Sequence, residues 1–332
     1  MRPNISILTD PVPIGRYAVT EPIKKVARRI HNIGSPRPVY MRSKYRAHFA
    51  VTRSMVEGLQ KIGIRSNYNP KNLKEVGEVV VVPGGFEALR QAIGWKQTGY
   101  IRTLLAGPNL VDFPSENRQL MCAAEIDLLI VPGDWVVDNF IADCPELRGR
   151  VKYWPAGVDT NYWFPSTLAK EHNKVLIYDK PKRGPVCLVD DYARFIEGKN
   201  YHVDILHYGQ YIPEYYLEML RKCSVMIGFS PDESQGIAWA EAWSVNVPTL
   251  LWNQDYVTYK GRTYRASTSP YLTSKTGMFF YSFLDFEKVF DYWINNWDQF
   301  HPRDWVIENM SDEVCAKNLC KLANIPVSRG YL

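Results

Sequence analysis

The sequence predicts an α/β protein built from two Rossmann-like lobes that face each other across a cleft. Its 332 residues exceed the length of a typical single domain. Short β-branched runs alternate with longer helical patterns, which is typical of βα units around a parallel sheet. This alternation stops at the polar, proline-containing segment FPSTLAKEHN (164–173) and then begins again. We therefore expect an N-terminal lobe over 1–164, a C-terminal lobe over 165–305, and a last helix over 306–332 that is able to pack back on the first lobe.

The first lobe contains five strand candidates that are short and rich in β-branched residues. They are NISILT (4–9), EVVVVP (78–83), YIRTLLA (100–106), IDLLIVP (126–132) and RVKYWP (150–155). Several are apolar on both faces, as expected of strands covered by helices on each side. Between the first two, YRAHFAVTRSMVEGLQKIG (45–63) predicts a helix that ends at Gly63.

The second lobe repeats the pattern with four strand candidates and intervening helices. The strands are KVLIYD (174–179), YHVDILHYG (201–209), CSVMIGF (223–229) and VPTLLWN (247–253). Helices are predicted at PEYYLEMLRK (213–222) and GIAWAEAWS (236–244). Near the end, the stripe of Phe286, Val289, Phe290, Trp293 and Trp297 has helical spacing and is predicted to be core rather than a ligand wall.

Net charge, cysteine spacing, the length of apolar runs and the missing motifs argue against several classes of function. The net charge of +5 suits anionic ligands such as phosphates, but the basic runs are short for a dedicated nucleic-acid binder. The six cysteines include no CxxC pair and lack the spacing of zinc sites, so no metal is expected. No run approaches the roughly 20 apolar residues that span a bilayer, and a cytoplasmic protein is expected. Neither a P-loop nor a GxGxxG motif is present.

The segment ESQGIAWAE (233–241) is the main candidate site. It follows the strand CSVMIGF, and ligands of open α/β sheets bind at the carboxyl ends of strands. Ser234 is a candidate cap for a helix that begins near Gly236, and such a helix start attracts anions. Glu233 lies just before this helix and Glu241 within it, so the two acids can bracket a ligand. Spacing alone also allows Glu241 to be a surface acid.

Three blocks occur in an order that resembles retaining glycosyltransferases of the GT-B fold, especially family 4. They are LLIVPGDWVVDNF (128–140), VKYWPAGVDTNYWFPS (151–166) and SPDESQGIAWAEAWSVNVPTLL (230–251). The third contains two glutamates with seven residues between them, after a Ser-Pro turn, followed by Val247-Pro248 before a strand. Ala156 stands where the family usually has Asn. The order and spacing of the three blocks extend over roughly residues 126 to 253.

The resemblance implies a binding site for a nucleoside-diphosphate sugar in the second lobe. Glu241 would bind the ribose hydroxyls, and Glu233 would contact the donor sugar. The loop after the first strand of this lobe would bring cations to the diphosphate, and the loop HYGQYIP (207–213) would receive the base. The catalytic candidates are thus Glu233, Lys180 and Arg183. The further donor-binding candidates are Lys182, Gly209, Gln210, Tyr211, Ser234, Gln235, Gly236, Ile237 and Glu241.

The first lobe departs from the family pattern on the acceptor side. After its first strand it has only Gly15, with Arg16 beside it, where relatives carry a Gly-Gly loop. No His stands at VVPGGFEA (81–88), where relatives place one near the donor sugar. By strand order, LLAGPNLVDFPSEN (104–117) faces the cleft and offers Asn109 and Asp112. The acceptor candidates are therefore Gly15, Arg16, Asn109 and Asp112.

The predicted function is transfer of a sugar from a nucleoside diphosphate, UDP or GDP, to a glycan or other hydroxyl acceptor. Retention of stereochemistry, and the absence of a metal or other cofactor, are implied by the resemblance. Two alternatives remain open: a phage-type DNA base glycosyltransferase and a catalytically silent nucleotide-sugar binding protein. Nucleic acid is thus an open but less favoured partner, and peripheral membrane contact is also open.

Overall fold

The computed structural model describes residues 3–12, 14, 43–45, 47–166, 173–180 and 189–327. The chain divides into two compact units. Unit 1 comprises Met1–Gly157 together with Asp312–Leu332, and unit 2 comprises Val158–Ser311. The first stretch of unit 1 ends seven residues before the predicted position 164, and unit 2 ends six residues after the predicted position 305.

Unit 1 contains a six-stranded sheet in which all strand pairs are parallel. In spatial order the strands run β2-β1-β3-β4-β5-β6. Their bounds are β1 Ile5–Thr9, β2 Ser66–Tyr68, β3 Val79–Gly84, β4 Thr103–Ala106, β5 Leu128–Val131 and β6 Val151–Tyr153. Five of these were predicted, and the edge strand β2, with the polar sequence SNY, was not.

Among the described residues of unit 1 that precede unit 2, helices connect these strands. They are α1 Ala47–Lys61, α2 Phe86–Gln97 and α3 Asp134–Asp143, with a short helical segment Glu116–Gln119 and turns of 3-10 helix at Leu73–Glu75, Leu120–Cys122 and Pro145–Leu147. Two residues after α1, Gly63 has a φ of +72°. This left-handed conformation ends the helix where the sequence predicted, because glycine adopts it without steric cost.

Unit 2 contains a five-stranded parallel sheet in the order β13-β10-β9-β7-β8 and a separate antiparallel hairpin. The sheet strands are β7 Lys174–Asp179, β8 His202–His207, β9 Val225–Phe229, β10 Thr249–Trp252 and β13 Gly277–Phe280. The hairpin pairs β11 Tyr256–Tyr259 with β12 Arg262–Arg265. Strand β10 thus leads into a hairpin that no sequence pattern predicted.

The helices of unit 2 are α4 Val189–Gly198, α5 Pro213–Lys222, α6 Ile237–Ser244, α7 Phe283–Asn296 and α8 Pro302–Asn309, with a 3-10 turn at Trp297–Gln299. On α7, Phe286, Val289, Phe290 and Trp293 are buried, which confirms their prediction as core. Trp297 is 57% exposed, so its prediction was wrong. The α-helix ends at Asn296, and Trp297 therefore leaves the helical stripe.

A last helix, α9 Asp312–Leu322, belongs to unit 1 and packs against α1. The fully buried carboxylate of Asp312 accepts hydrogen bonds from the Arg53 guanidinium at 2.7 and 3.0 Å, and from Lys61 Nζ at 3.0 Å. A Cβ atom at Gly58 would lie 2.5 Å from the Asp312 carbonyl oxygen. The two helices therefore approach closely because glycine stands at their contact.

No helix among the described residues combines the length and the apolar character that a bilayer crossing requires.

Candidate functional site

Three loops of unit 2 meet at the carboxyl edge of its sheet. They follow β7, β8 and β9, which are neighbours in the sheet, so the loops lie side by side. The backbone N–H of Lys180, just after β7, donates to the Phe229 carbonyl of β9 at 2.9 Å. On the other side, the N–H of Tyr208 donates to the Asp179 carbonyl at 2.8 Å. Side chains from distant parts of the sequence are thereby brought to one edge.

An ion pair between Lys180 and Glu233 lies at the centre of this edge. Lys180 Nζ donates to Glu233 Oε1, and the Ser230 hydroxyl donates to the same oxygen at 3.0 Å. The ammonium group also lies 4.7 Å from the centre of the Tyr208 ring. The two charged side chains are only 20% and 13% exposed. Partial burial strengthens this ion pair relative to one on the surface. Because both side chains keep some exposure, a ligand can still contact either charge.

Residues of β12 and of the segment that follows it hold the loop that carries Glu233. The N–H of Glu233 donates to the Ser267 carbonyl at 2.9 Å, and the Thr268 hydroxyl donates to the Ser230 carbonyl at 3.1 Å. The Tyr264 hydroxyl donates to Asp232 Oδ2 at 3.2 Å. Sequence reasoning missed these three positioning residues. They give no local signal, because they lie more than 30 positions from the residues they support.

Helix α6 begins immediately after this loop. Its N-cap residue is Gly236, with a φ of +66°, and no side chain caps the helix. The proposed capping role of Ser234 is therefore wrong. A Cβ atom at Gly236 would collide with Cδ1 of Trp239, whose indole N–H donates to the Thr268 carbonyl at 2.8 Å. Buried Gln235 stands just before this start and Ile237 is its first helical residue.

Glu241 is buried inside unit 2 and is not a surface acid. Only 7% of the residue is exposed. Its charge acts on two tyrosines nearby. Burial, together with the charges of Glu214 and Glu241, raises the pKa of Tyr162 to about 12. Burial also raises the pKa of Tyr216 well above its usual value, with further contributions from Tyr211 and Glu241. The Glu241 carboxylate thus lies close enough to both tyrosines for its charge to affect their pKa values.

The loop after β8 carries the predicted base-binding residues. Gly209 has a φ of +90°, and Gln210 is exposed. Tyr211 is half-buried, and its hydroxyl lies 2.6 Å from the hydroxyl of Tyr178 on β7. Because this contact holds Tyr211 against β7, Gly209 and Gln210 form the part of the loop that is open to a ligand.

In unit 1, two predicted acceptor residues lie at the carboxyl edge of the sheet. Asn109 donates its N–H to the Pro83 carbonyl at 2.8 Å, which places it beside Gly84. Asp112 is exposed, and its N–H donates to Glu116 Oε2 at 3.2 Å. The remaining predicted site residues, Gly15, Arg16, Lys182 and Arg183, lie outside the described residues.

Sequence reasoning also missed Asp10, which follows β1. Its carboxylate accepts hydrogen bonds from the N–H groups of Ala88 at 2.8 Å and Glu87 at 3.3 Å, at the start of α2. Negative charge is favoured at a helix N-terminus, and in unit 1 the protein itself provides that charge. The start of α2 is therefore occupied by the Asp10 carboxylate.

Sequence comparison finds no match: no family profile and no curated protein resembles this chain detectably.

Comparison of structures finds relatives in fold over nearly the whole chain. A glycosyltransferase from Rickettsia africae ESF-5 matches with a TM-score of 0.55 at 10% identity, covering 97% of this chain and 98% of the other. A glycosyltransferase of avilamycin A biosynthesis matches with a TM-score of 0.54 at 12% identity, covering 97% of each chain. Sucrose-phosphate synthase from Thermosynechococcus elongatus matches with a TM-score of 0.51 at 10% identity, covering 97% of this chain and 98% of the other. At these identities the likeness establishes the fold, and the predicted GT-B type of α/β fold is confirmed.

Proposed function

We propose that this protein is a glycosyltransferase that moves a sugar from a nucleoside-diphosphate sugar to a hydroxyl acceptor. One observation carries the proposal. At the carboxyl edge of the unit 2 sheet, the Lys180–Glu233 pair stands before the start of α6, and the carboxylate of Glu241 is buried within that helix. These groups suit the three parts of such a donor. Glu233 suits the sugar, Lys180 and the start of α6 suit the diphosphate, and Glu241 suits the ribose.

Each part of the donor has a partner of suitable chemistry. The ribose diol donates to Glu241, since an ionised carboxylate accepts two hydrogen bonds. The diphosphate lies at the start of α6, where Gly236 and Ile237 offer backbone N–H groups. Glu233 orients the sugar hydroxyls, and Ser234 and Gln235 complete this side of the site. Gly209, Gln210 and Tyr211 line the binding site for the nucleotide base.

The chemistry rests mainly on charge. When the bond between the sugar and the diphosphate breaks, negative charge grows on the leaving group, and fixed cations stabilise it. Lys180 supplies one such cation, and Lys182 and Arg183 are proposed to add two more. Binding of the diphosphate would draw Lys180 away from Glu233 and release that carboxylate for the sugar. The acceptor is proposed to bind to unit 1 near Asn109 and Asp112, with Gly15 and Arg16.

Several finer features rest on the resemblance of the motifs to family 4. They are retention of stereochemistry, independence from a metal or other cofactor, and UDP or GDP as the nucleotide.

A screen of nucleotide sugars tests the proposal. Thermal unfolding of the protein is followed with UDP-, GDP-, ADP- and CMP-sugars in turn. A ligand that binds only the folded state stabilises it by about 2.7 kcal/mol at 100 times its Kd, so a true donor raises the Tm by several degrees. The donor is then incubated with the protein, and release of the nucleoside diphosphate is measured. A protein that binds no nucleotide sugar, or binds one without ever releasing its diphosphate, would contradict the proposal.

A further inference from the structure

Three metal-binding side chains meet in unit 1, at the edge of its sheet opposite to the acceptor candidates. Cys122 ends a 3-10 turn that precedes β5, whereas Cys144 follows α3 and Glu146 lies in the next turn, before β6. The two sulfur atoms and a carboxylate oxygen all lie within 4.8 Å of one another. The sequence does not reveal this cluster, because Cys122 and Cys144 are separated by a strand and a helix.

The backbone around the cluster is fixed by hydrogen bonds. Cys144 donates its N–H to the Phe140 carbonyl at 2.9 Å, and its own carbonyl accepts from Leu147 at 3.0 Å. On the other side, the Arg150 guanidinium donates to the carbonyls of Ala123 and Ile126, both at 2.6 Å. The chain segments on both sides of the cluster are thus held by groups that do not themselves belong to it, which is how supporting residues orient metal ligands.

The donor set favours one class of metal. Calcium and magnesium take oxygen ligands, whereas zinc takes thiolate together with nitrogen or carboxylate oxygen, usually in a tetrahedron. At a zinc–sulfur distance of about 2.3 Å, two sulfur ligands of a tetrahedron stand about 3.8 Å apart. The two sulfur atoms and the carboxylate oxygen lie within 4.8 Å of one another, which is close to this spacing.

We propose that Cys122, Cys144 and Glu146 bind one zinc ion, with a water molecule as the fourth ligand. Cys144 is buried, Cys122 is half-buried and Glu146 is exposed, so the open position faces solvent. On binding, each thiol loses its proton to solvent. Two thiolates, one carboxylate and Zn²⁺ together leave a charge of −1. The ion would tie the segment that ends at Cys122 to the end of α3, and this role does not depend on the proposed transferase activity.

Zinc titration of the full-length protein tests the proposal. The protein is stripped of metal with a chelator, kept reduced with a phosphine, and titrated with Zn²⁺ against a chromophoric chelator. One ion per chain, with a submicromolar Kd, is expected. Cobalt in place of zinc should produce sulfur-to-cobalt charge-transfer absorption. This spectrum needs no variant, so it remains informative if a substitution at buried Cys144 prevents folding.

Variants of the ligands show which residues are responsible. Cys122→Ala and Cys144→Ala should weaken zinc binding by at least about 100-fold, and Glu146→Gln by about 10-fold. Zinc should also raise the Tm of the wild-type protein but not of Cys122→Ala. The matched controls Cys223→Ala and Glu125→Gln, whose side chains lie outside the cluster, should bind zinc as the wild type does. Absence of the cobalt absorption, or wild-type affinity in Cys122→Ala, would overturn the proposal.

Discussion

At the scale of single residues, Glu241 has the most unusual environment of the candidate site. It is an acid on a helix whose other residues are mostly apolar, and it is buried near tyrosines whose pKa values are raised. Burying a carboxylate costs several kcal/mol unless hydrogen bonds compensate. A ribose diol bound to the Glu241 carboxylate would add hydrogen bonds that favour its charged form.

Glu241→Gln tests this role with little change in shape. The amide replaces one acceptor oxygen by a donor group, so one charge-assisted hydrogen bond to the ribose is lost. Such bonds contribute about 1.5–3 kcal/mol, and we expect the Kd of the nucleotide sugar to rise about 10- to 100-fold. Calorimetric titration measures it. Glu214→Gln, at an exposed acid near Tyr162, serves as the control and should bind the donor normally. Equal affinity in both variants would remove Glu241 from the site.

Lys180 is expected to act on turnover. Lys180→Met keeps the length of the side chain but removes the charge that stabilises the leaving diphosphate. Loss of one such group typically lowers kcat by about 100- to 1,000-fold, with a smaller change in the KM for the donor. The control is Lys222→Met, because Lys222 also pairs with an acid, Glu218, but on the surface of α5. Steady-state kinetics measure kcat and KM of both variants. Normal turnover in Lys180→Met would contradict a role of Lys180 in stabilising the leaving diphosphate.

At the scale of elements, the start of α6 depends on backbone conformation. Gly236 combines a left-handed φ with contact to the Trp239 ring, and that ring is anchored to Thr268. The loop, the helix start and the segment after the hairpin therefore form one connected structure. A change at any of them is expected to displace Glu233.

Gly236→Ala should destabilise unit 2 by about 1–3 kcal/mol, because alanine is strained at this φ and its methyl group meets Trp239. The matched control is Gly198→Ala. Gly198 ends α4, and an added methyl group meets no atom within 4 Å. That substitution should be neutral or slightly stabilising. Urea unfolding of the two variants measures the difference, and equal stability would contradict the strain at Gly236.

The elements that the sequence predicted well are those whose burial is uniform. The segment KVLIYD matches β7 at both ends, since a strand in the interior of a parallel sheet is apolar on both faces. Strand β2 lies at an edge and is polar, and the hairpin of β11 and β12 stands outside both main sheets. Neither needs an apolar pattern. Lys180 and Glu233 were each candidates from the sequence, but their pairing depends on the adjacency of β7 and β9, which no local pattern encodes.

At the scale of the whole molecule, unit 1 is assembled from two separate stretches of sequence. Helix α9 completes it from beyond unit 2, and Arg53 binds Asp312 in a fully buried ion pair. Beside this pair, the N–H of Gly157 donates to the Ser54 hydroxyl at 2.6 Å, and the indole N–H of Trp154 donates to the Cys315 carbonyl at 2.8 Å. Polar contacts therefore fix the position of α9 against both α1 and the end of the first stretch.

Asp312→Asn should destabilise unit 1 by about 3–5 kcal/mol, because it leaves the Arg53 charge buried without its main counter-ion. The control is Glu313→Gln at the next position. Glu313 is 39% exposed and lies 3.9 Å from Lys61, so its loss should cost less than about 1 kcal/mol. Chemical denaturation followed by fluorescence gives both values. Similar losses in the two variants would show that the buried pair contributes no more than a surface pair.

The return of the chain to unit 1 has a consequence for synthesis on the ribosome. Translation adds about 5–20 residues per second, and nascent domains generally fold in the order in which they emerge. Here the first stretch of unit 1 emerges before α9. Arg53 and the surface of α1 around Gly58, which α9 covers in the folded protein, therefore stay exposed while unit 2 is made. Chains that end before Asp312 therefore lack the helix that covers this surface, and unit 1 is completed only when α9 has been made.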